Sequence, residues 1–557
     1  MINYKDKPFY LNDEDIKWVE KTFKSMSIEE KIGQLFFPIG YSSDPNYLKY
    51  AMLNKYPGGM LFRTGKKQEM AETYAYLQKE SRIPMFTAAN LEAGGDGIAE
   101  EGTSFGKQMQ IAATNNPDNA YLLGKVCARE GKAVGCNYAF APVVDIDLNY
   151  HNPITNVRTY GSNPSKVIEY AREYIKACNE EGVLTSIKHF PGDGVDECDQ
   201  HILTSVNSLS KEKWDESYGK VYKTLIDEGV KTVMVGHIAL PCYQSEDNRL
   251  LPASLSSELI NGLLREKLGF NGMVITDATP MVGFCSAMAR KDAVPAAINA
   301  GCDMFLFNKD YDEDYQFMMD AYKEGVLKPE RLEEAVKRIL ACKASQKLHL
   351  QNNVPDLDKL DVVGCDEHKN WARKCADEAI TLVKDSQNLL PISSLKTKKV
   401  LYEILGDSNS NKRIEETFVK KMQEYGYEMI PYQKEEFDFN KPLPFDSVKT
   451  FKEKYDLVIY IGNIENASNK TTNRINWYTL FGLGNNMPWF VKEVPTMFIS
   501  LQNPYHLLDV PMIQTYINCY SNHSEIVECA VDKINGKGSF KGVSPIDPFC
   551  GKEYLKY

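Results

Sequence analysis

The stretch LTSIKHFPGDGVDECDQH, residues 184–201, joins an apolar run to a glycine-rich acidic segment holding two of the chain's eight histidines. LTSIKHF (184–190) carries Leu184, Ile187 and Phe190 without a two-residue alternation and reads as a parallel strand covered on both faces. Seven further runs of this kind occur between residues 30 and 310: QLFFPIG (34–40), GGMLFR (58–63), PMFTAAN (84–90), YAFAPVVD (138–145), TVMVGHI (232–238), GMVITDA (272–278) and DMFLF (303–307). The segments between them carry helical spacing and stops, as in NPSKVIEYAREYIKACNEEG (163–182), and Ser27 with Glu30 forms a capping-box pattern. Eight strand–helix alternations predict a (β/α)8 TIM barrel; an open doubly wound sheet is the competing arrangement.

Beyond a helix at 328–347 lies a polar link, KLHLQNNVPDLDKLD (347–361), which sets a boundary between 350 and 365. The expected domains are a barrel over 1–350 and a smaller α/β sandwich domain over 365–557. In the second, NWARKCADEAITLVKD is expected as a helix and KKVLYEIL, YDLVIYIGN and VPTMFISLQNP as strands. No constellation of chemical groups stands out there.

The 557 residues carry a net charge of −11, which disfavours nucleic acid and anionic membrane surfaces as partners. The start of the chain mixes charges from its fifth residue and has no apolar core of a signal peptide, and no run of about eighteen apolar residues occurs. Thirteen cysteines, an odd number without metal-ligand spacing, read as reduced thiols. The expected location is cytoplasmic, which leaves the glycosylation pattern at Asn466 without meaning.

Barrels of this type place their chemistry at the C-terminal ends of the strands. The polar residues there are Asn90, Asp145, Lys188, His189, His237, Asp277 and Asn308. A charge at the end of an apolar strand costs desolvation energy unless it is used or paired. Mutual pairing or helix capping remains open for Asp145, Asn308 and His237. Asp277 has the position of a nucleophile or of a structural cap. One residue separates Asp199 from His201, so the carboxylate can reach the ring, set its tautomer and leave the other nitrogen to exchange a proton. A solvated acidic loop, or a metal held by His189, Asp193, Asp196, Asp199 and His201, are the other readings of that segment. No zinc spacing supports the metal.

KHFPGDGVDECDQH fills every fixed position of the K-H-F-P-G-x-G-x4-D-x-H loop and thereby resembles glycoside hydrolase family 3, in its β-N-acetylglucosaminidase branch. MVITDATPM is similar to that family's nucleophile strand, and YPGGMLFRTG, NYAFAPVVDIDLN, VRTYG, VMVGHIALP, AITLVKDSQNLLPI and GVSPIDPFCG resemble further segments. The resemblance implies Asp277 as nucleophile, His201 as general acid/base and Asp199 as its charge partner. It also implies Lys188, His189, Arg158, Asn90 and Glu92 as substrate-binding residues. The family's third strand ends D-Q-E-G-G-R; here AANLEAGGDGIA puts Asn90 in the aspartate's place and lacks the arginine, while Glu92 is kept.

The implied reaction is retaining, exo-acting removal of a terminal β-linked sugar, most simply N-acetyl-β-D-glucosamine, with no cofactor and no metal. The expected partner is a small carbohydrate, with a homodimer possible. A histidine acid/base repels an incoming anion less than a carboxylate does, so phosphorolysis is an alternative outcome. A catalytically silent sugar-binding protein is the alternative of another class.

Overall fold

The computed structural model describes residues 2–350, 354–434, 446–480, 483–484 and 486–557. The chain divides into two compact units, Met1–Phe105 with Pro117–Lys369, and Gly106–Asn116 with Asn370–Tyr557. Three residues of the polar link, 351–353, lie outside the described residues.

In the first unit all eight apolar runs are strands, and every neighbouring pair is parallel. The first strand is split at Pro38, which has no N–H to give the ladder. Its first half, Phe36–Phe37, pairs with the eighth strand, Phe305–Leu306, and its second half, Ile39–Gly40, pairs with the second, Gly59–Phe62. The order then runs through Phe86–Ala89, Tyr138–Ala139, Leu184–Phe190, Thr232–Val235 and Met273–Thr276. A parallel bridge from Ile275 to Met304 closes the ring. The barrel is therefore complete, and the open sheet is excluded.

Burial explains the missing alternation: every residue of the third, fifth, sixth and seventh strands is buried. Each fully buried Val, Ile or Met contributes roughly 1.5–3 kcal/mol. The helices follow their sequence signals. Ser27 and Glu30 make the reciprocal capping box. Helix Pro164–Glu181 starts at the Asn163 cap and ends on Gly182, whose φ of 77° suits glycine alone.

In the second unit a six-stranded sheet has the order Thr381–Asp385, Thr515–Asn518, Thr496–Ser500, Leu457–Gly462, Lys399–Leu405, Glu428–Pro431. Only the first of these runs antiparallel to its neighbour. Helices Asn411–Glu424 and Ser524–Ile534 cover one face through Ile414, Phe418, Met422, Ile526 and Ile534, and the other face packs on Phe451, Phe490, Val494 and Leu507.

One expected helix is corrected. Helix Asp366–Ala379 stops before TLVKD, and Thr381–Asp385 is an edge strand. The β-branched Thr381 and Val383 suit a pleated, half-buried position there. Gly106–Asn116, in sequence part of the barrel, packs with the second unit: His523 Nε2 meets Gln110 Oε1 at 3.0 Å, and the Val543 N–H donates to the Ala113 carbonyl.

Among the described residues no helix is long and apolar enough to cross a membrane. Among the described residues none of the thirteen cysteines forms a disulfide.

Candidate active site

Asp277 directly follows the seventh strand, and its N–H donates to the carbonyl of Val235, the last residue of the sixth. The Ala278 N–H donates to Asp277 Oδ1 at 2.7 Å, which leaves Oδ2 toward the ring of His189, with Nε2 at 3.9 Å. Burial raises the Asp277 carboxyl. His189, His237, the Ala278 N–H and His201 more than offset this, and the group lies below its ordinary value. It is a carboxylate at neutral pH.

Lys188 and His189 sit in the fifth strand, and the peptide joining them is cis. Lys188 Nζ is 2.6 Å from Glu92 Oε1. Arg158, in the turn Asn156–Arg158, clamps the same carboxylate with two hydrogen bonds, Nε to Oε2 at 3.0 Å and Nη2 to Oε1 at 2.8 Å. Burial opposes the charge on Glu92, but Arg158 and Lys188 outweigh it and hold this carboxyl well below the usual range. Arg158 and Lys188 thus meet on one carboxylate beside the fifth strand's end.

The segment after Phe190 is held by Asp145 and by its own Asp196. Asp145 Oδ1 accepts the Asp193 N–H at 2.8 Å. Asp196 accepts the Ser205 hydroxyl, the Val206 N–H and the Cys198 N–H. Burial, then the proximity of Asp145 and Asp196, pushes the Asp193 carboxyl well up. Gly192 and Gly194 have φ of 119° and 99°, and a Cβ on Gly194 would lie 2.3 Å from the Ile146 carbonyl oxygen. The acidic segment is thus ordered rather than a solvated loop.

Within it Asp199 is buried, and its Oδ1 lies 2.6 Å from His201 Nδ1. The His201 ring keeps 27% side-chain exposure. The backbone of this segment is stitched to the residues after Asp277: Val282 N–H donates to the His201 carbonyl and Gly283 N–H to that of Gln200. His201 acts electrostatically on both Asp277 and His237. These links bring the His201 ring and the Asp277 carboxylate to one end of the barrel.

His237 is fully buried, with Nδ1 2.8 Å from the Ser254 hydroxyl and Nε2 3.0 Å from the Ala278 carbonyl. A carbonyl only accepts, so Nε2 carries the proton. Burial first of all pushes its pKa down to about 4. It is neutral at pH 7, adds little charge beside Asp277, and braces the Asp277–Ala278 backbone.

Asp145 belongs to the same group. Its carboxylate meets His189 Nδ1 at 2.7 Å, so its mutual pairing is realised. Asn90 is exposed directly after the third strand. Asn308 contacts Asp314 at 3.4 Å and caps the eighth strand's exit. Among the described residues no group of three or more His, Cys, Asp or Glu has metal-binding geometry.

Comparison with known proteins agrees with this arrangement. Residues 27–342 match the glycosyl hydrolase family 3 N-terminal domain. The chain belongs to glycoside hydrolase family 3 and is a glycosidase. It is 43% identical over 564 residues to the beta-N-acetylglucosaminidase/beta-glucosidase of Cellulomonas fimi, covering 99% of both chains. A solved beta-glucoside phosphorylase, BglX, shares 41% identity with a TM-score of 0.93 over 99% of both chains. The family 3 beta-N-acetylglucosaminidase of Paenibacillus sp. str. FPU-7 shares the fold at 22% identity, with a TM-score of 0.79 over 94% of this chain and 99% of that one.

Proposed function

We propose that this enzyme cleaves a terminal β-linked glucoside or N-acetylglucosaminide with retention of configuration. Asp277 attacks the anomeric carbon while His201 protonates the leaving oxygen. The C–O bond to the leaving group breaks, a glycosyl–Asp277 ester forms, and the aglycone departs as its alcohol. His201, now neutral, takes a proton from water, whose oxygen attacks the anomeric carbon and releases Asp277.

The observation that carries this reading is the 2.6 Å pair of His201 and Asp199, with the ring part-exposed and coupled electrostatically to an ionised Asp277. Lys188, His189, Arg158 and Glu92 then bind sugar hydroxyls. Asn90 replaces a charge-assisted acceptor with an amide, so it relaxes the demand at the sugar's far edge. This fits a site that takes both sugars, the pair named for the Cellulomonas fimi relative.

A second reading concerns the acceptor. An imidazole, unlike a carboxylate, does not repel phosphate, and the BglX relative is a phosphorylase by name. Phosphate would then displace Asp277 and leave a sugar 1-phosphate.

The test is release of nitrophenol from β-GlcNAc, β-GlcN and β-glucose derivatives, with and without millimolar phosphate. Release lost in His201→Ala is expected. Free sugar as product supports hydrolysis; sugar 1-phosphate in its place moves the assignment to phosphorolysis. No release from any of the three overturns the proposal.

A further inference from the structure

His189 stands in the site, but the residue controlling it lies behind. Asp145 has no solvent exposure, and each of its oxygens is committed. Oδ1 accepts the His189 N–H at 3.1 Å and the Asp193 N–H at 2.8 Å. Oδ2 lies 2.7 Å from His189 Nδ1. A carboxylate held by two backbone donors can meet the ring nitrogen only as an acceptor, so Nδ1 carries a proton. The other ring nitrogen, Nε2, faces Asp277 Oδ2 at 3.9 Å. Asp277 is therefore beside one carboxylate–imidazole pair, Asp145–His189, and coupled to a second, Asp199–His201.

We infer that Asp145 is a positioning residue for the reaction: it fixes the tautomer and tilt of His189, so that Nε2 is the atom presented to the sugar and to Asp277. This rests on Asp277 being the nucleophile. Unlike Asp199, which serves the ring that exchanges a proton, Asp145 serves a ring that stays beside the forming bond.

The isosteric Asp145→Asn variant separates the roles. Its amide oxygen keeps both backbone N–H donors, but its NH2 then faces Nδ1. The ring must surrender the Nδ1 proton and carry it on Nε2, and it can no longer be a cation without an unpaired clash of donors. Outer partners that orient an imidazole typically matter by 10–100-fold where measured on metal-bound rings, and about this loss of kcat/KM is expected here.

The experiment is a double-mutant cycle of Asp145→Asn and His189→Gln, with thermal unfolding followed in parallel. Asp145→Asn is expected to cost about 10–100-fold alone, less than about threefold in the His189→Gln background, and only a few degrees of unfolding temperature. Equal losses in both backgrounds would mean that Asp145 acts through the backbone and not the ring, and would overturn the inference.

A second arm does not depend on activity. Nitrogen-15 NMR of labelled histidine, with His189 assigned from the Gln variant, should show Nδ1 protonated in the native protein and unprotonated in Asp145→Asn. An unprotonated Nδ1 in the native protein overturns the inference whatever the kinetics. An enzyme that releases no aryl glycoside overturns the proposed function, and the NMR arm still decides the tautomer.

Discussion

His201 Nδ1 and Asp199 Oδ1 are 2.6 Å apart, and the same carboxylate oxygen accepts the His201 backbone N–H at 2.9 Å. One buried carboxylate therefore fixes the ring and the chain that carries it. His201→Ala should lower kcat/KM, which reports the first step, roughly 10²–10⁴-fold for alkyl or sugar leaving groups, which need a proton. Dinitrophenyl glycosides, which leave without one, should lose far less. A uniform loss across leaving groups would remove His201 from the acid's role.

Asp277 should be the residue that becomes esterified. A 2-deoxy-2-fluoro sugar with an activated leaving group slows release of the intermediate, so mass spectrometry should find the added sugar on the peptide containing Asp277. Its carboxyl lies below the ordinary value because His189, with His237, the Ala278 N–H and His201, more than offsets the effect of burial. The labelling rate should therefore stay level from pH 7 to about 4.5, above the ordinary aspartate range. A fall through pH 5–6 would show that the nucleophile is not held ionised.

Glu92 answers to two cations, Lys188 at 2.6 Å and Arg158 at 2.8 Å. Its pKa is depressed on folding, so its stabilisation is present above the unfolded value near 4.3 and is lost as pH falls through the lower folded value. Glu92→Gln leaves two charges uncompensated and should cost about 3–5 kcal/mol at pH 7 in denaturant unfolding. The difference from wild type should shrink only at strongly acid pH. Undiminished stability at pH 7 would contradict the clamp.

The barrel was legible because burial on both faces removes the polar–apolar alternation of a half-exposed strand, and LTSIKHF and its seven counterparts lack that alternation. The motif singled out Asp277, His201 and Asp199 as candidates, and the structure ties the segment carrying the last two to the residues after Asp277. Asp145 was not assignable to a role, because a strand-end aspartate has the same local sequence whether it caps a helix or pairs across the barrel. Only the position of His189, 44 residues away, distinguishes these. Gly106–Asn116 was read as barrel because its packing partners, His523 and Val543, lie more than four hundred residues on in the chain. The strand Thr381–Asp385 was absorbed into a helix, since a five-residue edge strand directly after a helix leaves too short a period to read.

Lys343, on the helix Pro329–Ser345, tests the buried core rather than the strand ends. Its side chain is fully buried, Nζ donates to Gln34 Oε1 at 2.6 Å, and the Phe86 ring lies 5.2 Å away. Burial without a carboxylate pushes its pKa from 10.5 down to about 7. Above pH 10.5 folded and unfolded chains are both neutral there, and no penalty arises. Between 10.5 and 7 the unfolded chain binds a proton that the folded chain does not, so stability falls as pH is lowered; below 7 the penalty is constant. On the scale of 1.36 kcal/mol per pH unit it reaches on the order of 4 kcal/mol. Lys343→Met removes that penalty and leaves Gln34 Oε1 without its donor, at about 1–3 kcal/mol. The net expectation is a rise of a few degrees in unfolding temperature at pH 7, shrinking and then reversing as the pH nears 10. A variant less stable than wild type at pH 7, or a gain indifferent to pH, would show that Lys343 is not held neutral by burial.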